Sequence, residues 1–229
     1  MKYMGSKNRH AREILAVIPR QKDQIWVEPF VGGANMIDKV DNILRIGADI
    51  NSYLISMWKA LLNGWIPPEN ISEAEYYRIR DLDEYKQWEP VLYAFVGIGC
   101  SYAGKWWGGY ARGAERNYCR ESRDNVLKQI PKLKKVHFVC ADYRHLNIPS
   151  KSLIYCDPPY MNATAYRPKF DSRLFWEWCD RKVNEGHSVY VSEYTAPSDW
   201  ICIWSKVVNN TLVKETGSKQ GVERLFTKG

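Results

Sequence analysis

Short apolar runs alternate along the chain with longer stretches in which apolar residues recur every three to four positions. Residues 25–30, 43–48, 136–140 and 153–156 read as strands, and 188–194 as a fifth. Segments 201–204, 211–214 and 222–226 add short β elements. A first helix is expected over 6–18, with Ser6 as its cap, Ile14, Leu15 and Ile18 on one face, and Pro19 behind it. A short helix follows over 36–40. Asn51 caps a helix over 52–63 that carries Leu54, Ile55, Trp58, Leu61 and Leu62 on one face and stops at Gly64. Residues 171–186 do the same with Phe175, Trp178, Cys179 and Val183. Strands alternating with helices predict an α/β fold, a parallel sheet with helices on both faces.

Between 65 and 135 the pattern changes. Pro67, Pro68 and Asn70 interrupt the chain, after which helices are expected over 72–85, from about 88 or 90 to 96, and over about 122–129. Residues 97–113 interleave Tyr102, Lys105, Trp106, Trp107 and Tyr110 with glycines. Mobile nucleic-acid loops use aromatics for stacking and cations for phosphates. The competing reading is a glycine-rich loop tucked onto the core by its tryptophans. From Arg112 to Lys135, with Arg112 and Arg116 nearest the loop, eight Lys or Arg face three acids. The expected organisation is one domain from 1–64 and 136–229, interrupted at 65–135 by a small, mostly helical insertion.

Composition narrows the function classes. A chain of 229 residues buries a sizeable core, and a net charge of +7 favours a polyanionic partner. No apolar run is long enough to span a bilayer, and the first residues lack the apolar core of a signal peptide, so a cytoplasmic protein is expected. The six cysteines stand singly, without zinc spacing, and no metal is expected. Cys140 and Cys156 fall in strand-like runs and are expected to be buried thiols. No histidine pairs with a Cys or Ser in a nucleophile arrangement.

Candidate chemistry collects at strand ends. The first strand ends in Glu28-Pro29-Phe30-Val31 and a Gly32-Gly33 turn, the opening of a mononucleotide-binding unit without the dinucleotide fingerprint, which points to a nucleoside-like ligand. Asp49 ends the second strand, where such folds hydrogen-bond a ribose. Asp142 and Tyr143 follow the third. The fourth ends in Asp157-Pro158-Pro159-Tyr160. Two prolines cannot continue a ladder, so Asp157, the Pro158 carbonyl and the Tyr160 ring form a stiff platform, although an acid before prolines is also an ordinary turn. At the N-terminus, Tyr3-Met4-Gly5-Ser6-Lys7 puts a cation at a helix start, as a ligand contact or a simple cap.

In order and spacing, the segments 2–7, 27–33, 48–51 and 155–160 resemble the Dam-type DNA adenine-N6 methyltransferases. The resemblance implies a Rossmann-like, S-adenosylmethionine-dependent methyltransferase sheet, a target-recognition insertion and double-stranded DNA as partner. It implies cofactor contacts from Tyr3, Met4 and Lys7; a methionine side from Glu28, Pro29, Phe30, Gly32 and Gly33; a ribose contact from Asp49; and an adenine border from Asp142 and Tyr143. Asp157, which would also border the cofactor, and Pro158 would hold the exocyclic amine of a flipped base, with Tyr160 stacked on that base. Lys7, Tyr102, Lys105, Trp106, Trp107, Tyr110, Arg112 and Arg116 are the candidate DNA contacts. Family members commonly carry glycine where this chain has Ala34. Two alternatives stand beside adenine-N6 transfer: cytosine-N4 methylation and a catalytically silent DNA-binding module. A monomer in solution is expected, with room for more than one copy on DNA.

Overall fold

Apolar strands without polar interruption need cover on both faces, and the parallel part of the sheet has it. In this computed structural model, residues 1–21, 23–41, 44–113, 115–159, 170–209 and 220–229 are described, apart from the side chains of Asn209 and Gln220. The strands are β1 (Trp26–Glu28), β2 (Arg45–Asp49), β3 (Val136–Cys140), β4 (Leu153–Cys156), β5 (Ser188–Glu193), β6 (Ile201–Asn209) and β7 (Gln220–Thr227). They form one sheet in the order β3-β2-β1-β4-β5-β7-β6. Pairings among β1 to β5 are parallel, and β7 runs antiparallel between β5 and β6. The order reverses at β1, so the carboxyl ends of β1, β2 and β4 border a crevice, the usual ligand position in open α/β sheets.

Alternation along the strands divides the core. Trp26, Leu153 and Tyr155 face one side, while Val27, Ile154 and Cys156 face the other. The first side is covered by α1 (Ala11–Val17), α2 (Ser52–Leu62), α3 (Glu73–Asp81), α5 (Pro90–Gly99) and α6 (Tyr118–Leu133), through Ile14, Leu54, Tyr76, Phe95 and Val126. The second is covered by α7 (Ser172–Asn184), through Phe175, Trp178 and Cys179. Apolar residues of segment 65–135 therefore share a core with α2 and the sheet.

Several elements differ from expectation. The helix expected over 6–18 is a 3-10 turn at Lys7–Arg9 followed by α1. The helix expected over 72–85 breaks at Leu82, whose backbone is extended, into α3 and α4 (Asp83–Trp88). At α3 the start is firm: Ser72 and Glu75 form a reciprocal capping box. The basic helix α6 is longer than expected. Strand β6 runs on to Asn209 past the polar Ser205 and Lys206, as an edge strand with solvent on one side can; the strand expected at 211–214 lies outside the described residues. Cys140 is exposed rather than buried, because it ends β3 at the other edge of the sheet. Among the described residues, no helix is long and apolar enough to cross a membrane and no cluster of metal-ligating side chains occurs.

Candidate cofactor and catalytic cleft

A cavity of about 750 Å³ opens over the carboxyl ends of β1, β2 and β4. Its floor begins with the turn after β1. Val31 N–H donates to the Ala48 carbonyl at 2.8 Å, and Gly32 and Ala34 both take positive φ, 44° and 52°. Ala34 adopts the left-handed conformation that glycine usually supplies, at a cost held by the surrounding contacts. Gly33 has no room for a side chain, since a Cβ there would lie 2.7 Å from Tyr3 Cβ and from Asn35 Nδ2. Tyr3 thus presses the N-terminal segment onto the turn. From outside, the Trp58 indole N–H donates to the Gly32 carbonyl at 3.0 Å, and the Gln129 amide donates to the carbonyls of Gly33 and Ala34 at 3.1 and 2.8 Å. Gln129 belongs to α6, so the segment expected as an insertion fixes the turn.

Asp49 faces the same cavity. Its Oδ2 accepts from Gly32 N–H at 3.1 Å and its Oδ1 from Asn51 N–H at 3.0 Å. Burial raises its pKa, and the backbone donors oppose that rise. Each oxygen keeps a lone pair for a further donor, as a vicinal diol requires. Beyond it, Phe30 and Tyr143 meet at 5.2 Å between ring centroids, and Phe170 lies 5.9 Å from Phe30, giving an aromatic wall. Asp142 is held below the usual carboxylate range by hydrogen bonds from the Arg144 guanidinium at 2.9 and 2.7 Å.

The opposite end is built on Asp157. Its Oδ1 lies 3.0 Å from Lys7 Nζ, and Glu223 Oε2 of β7 lies 3.5 Å from the same nitrogen. Lys7 is 6% exposed. Burial lowers its pKa, but attraction and hydrogen bonds from Asp157 and Glu223 outweigh burial, and the net shift is upward. Between the two ends, on β1, Glu28 accepts the Trp26 indole N–H at 2.8 Å, and burial drives its pKa well above the ordinary value.

The expected cofactor residues converge: Tyr3, Met4 and Lys7, Glu28 to Phe30, Gly32 and Gly33, Asp49, Asp142, Tyr143 and Asp157 all line this one cavity, and Pro158 joins them. Tyr160 lies outside the described residues. Sequence reasoning missed Arg144, Phe170, Tyr194 and Glu223; Glu223 sits in a β segment with no motif around it. The expected DNA contacts separate. Tyr102, Lys105 and Trp106 are exposed, and so are Arg112 and Arg116, which pair with Glu73 and Glu121. Trp107 and Tyr110 pack against the core: Trp107 lies 4.7 Å from Tyr93, and the Tyr110 hydroxyl donates to the Ile71 carbonyl at 2.8 Å. Lys7 lines the cavity and is not on an exposed face. The loop is also anchored to the N-terminal segment, because Met4 N–H donates to the Gly104 carbonyl at 3.2 Å.

With this geometry in place, comparison with known proteins is informative. Residues 3–91 match the family of D12 class N6 adenine-specific DNA methyltransferases. That match includes the glycine turn and Asp49 and ends inside α5, before the aromatic loop and Asp157. Longer alignments join the chain to individual proteins of bacterial origin. A DNA adenine methylase of Vibrio cholerae serotype O1 is 27% identical over 193 residues, covering 72% of this chain and 66% of the relative. The DNA adenine methylase of Escherichia coli K12 is 26% identical over 208 residues, 76% of this chain and 70% of the relative. Type II methyltransferase M.FokI of Planomicrobium okeanokoites is 24% identical over 194 residues, 72% of this chain and 29% of that longer protein. The chain spans about two thirds of the length of the adenine methylases it matches.

The D12 class resemblance implies S-adenosylmethionine, and the cleft fits it. A carboxylate with lone pairs left for a diol suits the ribose, and aromatic walls suit an adenine ring.

Proposed function

We propose that this chain transfers a methyl group from S-adenosylmethionine to the exocyclic N6 of adenine in duplex DNA. One observation carries the reading: Asp157, at a strand end stiffened by two prolines, shares a cavity with the glycine turn and Asp49. An amine acceptor site and a nucleoside site therefore lie side by side. Asp49 would hold the ribose, and the walls of Phe30 and Tyr143 the adenine of the cofactor. When bound, S-adenosylmethionine supplies an electrophilic methyl on a sulfonium.

The chain's own residues supply position and charge. An aromatic amine is a poor nucleophile because its lone pair is delocalised into the ring. Asp157 accepting one N–H and the Pro158 carbonyl accepting the other favour a pyramidal nitrogen with its lone pair directed outward. Asp157 would also hold the proton the nitrogen gives up. Holding the amine in line with the methyl supplies much of the acceleration. The target base has to leave the duplex, at a cost of a few kcal/mol that contacts in the pocket offset. Exposed Tyr102, Lys105, Trp106, Arg112 and Arg116 are the residues offered to the DNA, Lys105 and the arginines for phosphates and the rings for bases.

The test is direct. Purified protein is incubated with methyl-labelled S-adenosylmethionine and duplex DNA, and the DNA is digested to nucleosides. Label in N6-methyl-2′-deoxyadenosine is expected. Label in N4-methyl-2′-deoxycytidine, or none in DNA, sinks the reading.

A further inference from the structure

The second carboxylate on Lys7 has no part in the chemistry above. Alternation along β7 puts Glu223 on the face of the fully buried Leu225, and its cross-strand neighbour on β6 is Lys206. Lys206 is occupied elsewhere, by Glu13 of α1 at 2.6 Å. Glu223 instead lines the cavity, 14% exposed, with its Oε2 toward Lys7. The ammonium also donates to the Gly5 carbonyl at 3.4 Å. One ammonium therefore stands between two carboxylates at nearly equal distance, 3.0 and 3.5 Å.

That arrangement bears on how an amine reaches Asp157. A neutral aromatic amine is a weaker partner for a carboxylate than an ammonium is. An ammonium held on Asp157 alone would compete with the substrate and draw off the negative charge that polarises the target nitrogen. Removing it altogether would leave Asp157 and Glu223, two carboxylates on one cavity, without the ammonium that stands between them. A second anion within reach resolves the conflict, since the ammonium can shift a short distance without losing a partner.

We propose that Glu223 is a positioning residue that takes Lys7 over when the target amine reaches Asp157, so that the ammonium rests mainly on Asp157 in the free site and on Glu223 in the loaded one. The inference rests on the amine-methylation reading of the cleft. It makes the antiparallel end of the sheet part of the catalytic apparatus.

The experiment compares Glu223→Gln and Glu223→Asp in the full chain. Glu223→Gln, nearly isosteric but uncharged, is expected to lower kcat about tenfold to a hundredfold, the range of a coupled charged pair. The Kd for S-adenosylhomocysteine, measured by calorimetry, should change less than about threefold, well within the non-additivity of neighbouring sites. Glu223→Asp, shorter but charged, is expected to turn over faster than Glu223→Gln; a packing role predicts the reverse order. Unchanged kcat in Glu223→Gln, or Glu223→Asp no faster than it, overturns the proposal. Should Glu223→Gln not fold, Glu223→Ala is assayed with added acetate, where restored turnover supports the proposal and its absence overturns it. If the unaltered protein methylates no DNA, both the reading and the inference fail; if it does and Glu223→Gln matches it, only the inference fails.

Discussion

Asp49 and Asp157 end the two strands that flank β1, yet the groups that hold them differ in kind. Asp49 accepts from two backbone N–H groups, Gly32 and Asn51. Asp157 is met by a lysine side chain that a second carboxylate also holds. Backbone donors are fixed by the turn and by the start of α2, so Asp49 is preorganised and stays where it is. A lysine has four rotatable carbons and a point charge, and it exchanges partners at little cost. The first arrangement suits a ligand that must always seat in one pose. The second suits a substrate that arrives, reacts and leaves.

The strongest way to break that comparison is to remove the exchangeable end. Asp157→Ala is expected to lower the methyl-transfer rate about a hundredfold to a thousandfold, the loss typical of one positioned partner in a transition state. Binding of S-adenosylhomocysteine, followed by calorimetry, should be largely retained. Wild-type turnover in this variant would remove Asp157 from the chemistry.

Next comes the fixed end. Asp49→Asn keeps one acceptor oxygen but presents an amide NH2 where Gly32 N–H or a ribose hydroxyl needs an acceptor. Its Kd for S-adenosylhomocysteine should rise about tenfold to a hundredfold, as expected for hydrogen bonds to a charged group. The rate at saturating cofactor should fall far less than in Asp157→Ala. Equal losses in both quantities would mean that the two ends act as one.

These two ends were unequally legible in the sequence. The strands, the glycine turn, Asp49 and Asp157 all follow from local pattern, because each sits where an apolar run stops. What the sequence hid is what side chains do across long separations. Gln129 reads as one more polar residue of a basic helix, yet it secures the turn about 95 residues away through two carbonyls. Glu223 lies in a short β segment with an ordinary composition, and only the reversed strand β7 carries it to Lys7. The sequence of the aromatic loop suits either a nucleic-acid surface or core cover, and its residues divide between the two. Gly97 explains part of the division, since a Cβ there would lie 2.7 Å from the Trp107 ring.

That division supplies a smaller, paired test. Trp106→Ala should weaken duplex binding on the order of fivefold to tenfold, the low end of base–aromatic stacking, and leave the thermal midpoint near its starting value. Trp107→Ala should do the opposite, lowering the midpoint because it empties the space beside Tyr93 and Gly97. Fluorescence anisotropy and thermal melts read the two effects. Two variants with the same profile would show that the loop is not divided.

The smallest effect belongs to Glu28, which lies on β1 between the two ends. Its carboxyl is buried and its pKa is raised well above the ordinary 4.5. The folded state therefore binds this proton more tightly than the unfolded one. Stability from Glu28 is fully present below pH 4.5 and is lost as pH rises through the folded pKa. Glu28→Gln removes that dependence while its amide oxygen still accepts the Trp26 indole N–H. The expected result in thermal melts is a midpoint close to that of the unaltered protein at low pH and increasingly above it as the pH is raised. Parallel curves would mean that Glu28 titrates alike in both states, and a group so indifferent to burial could not separate a rigid acid from an exchangeable one.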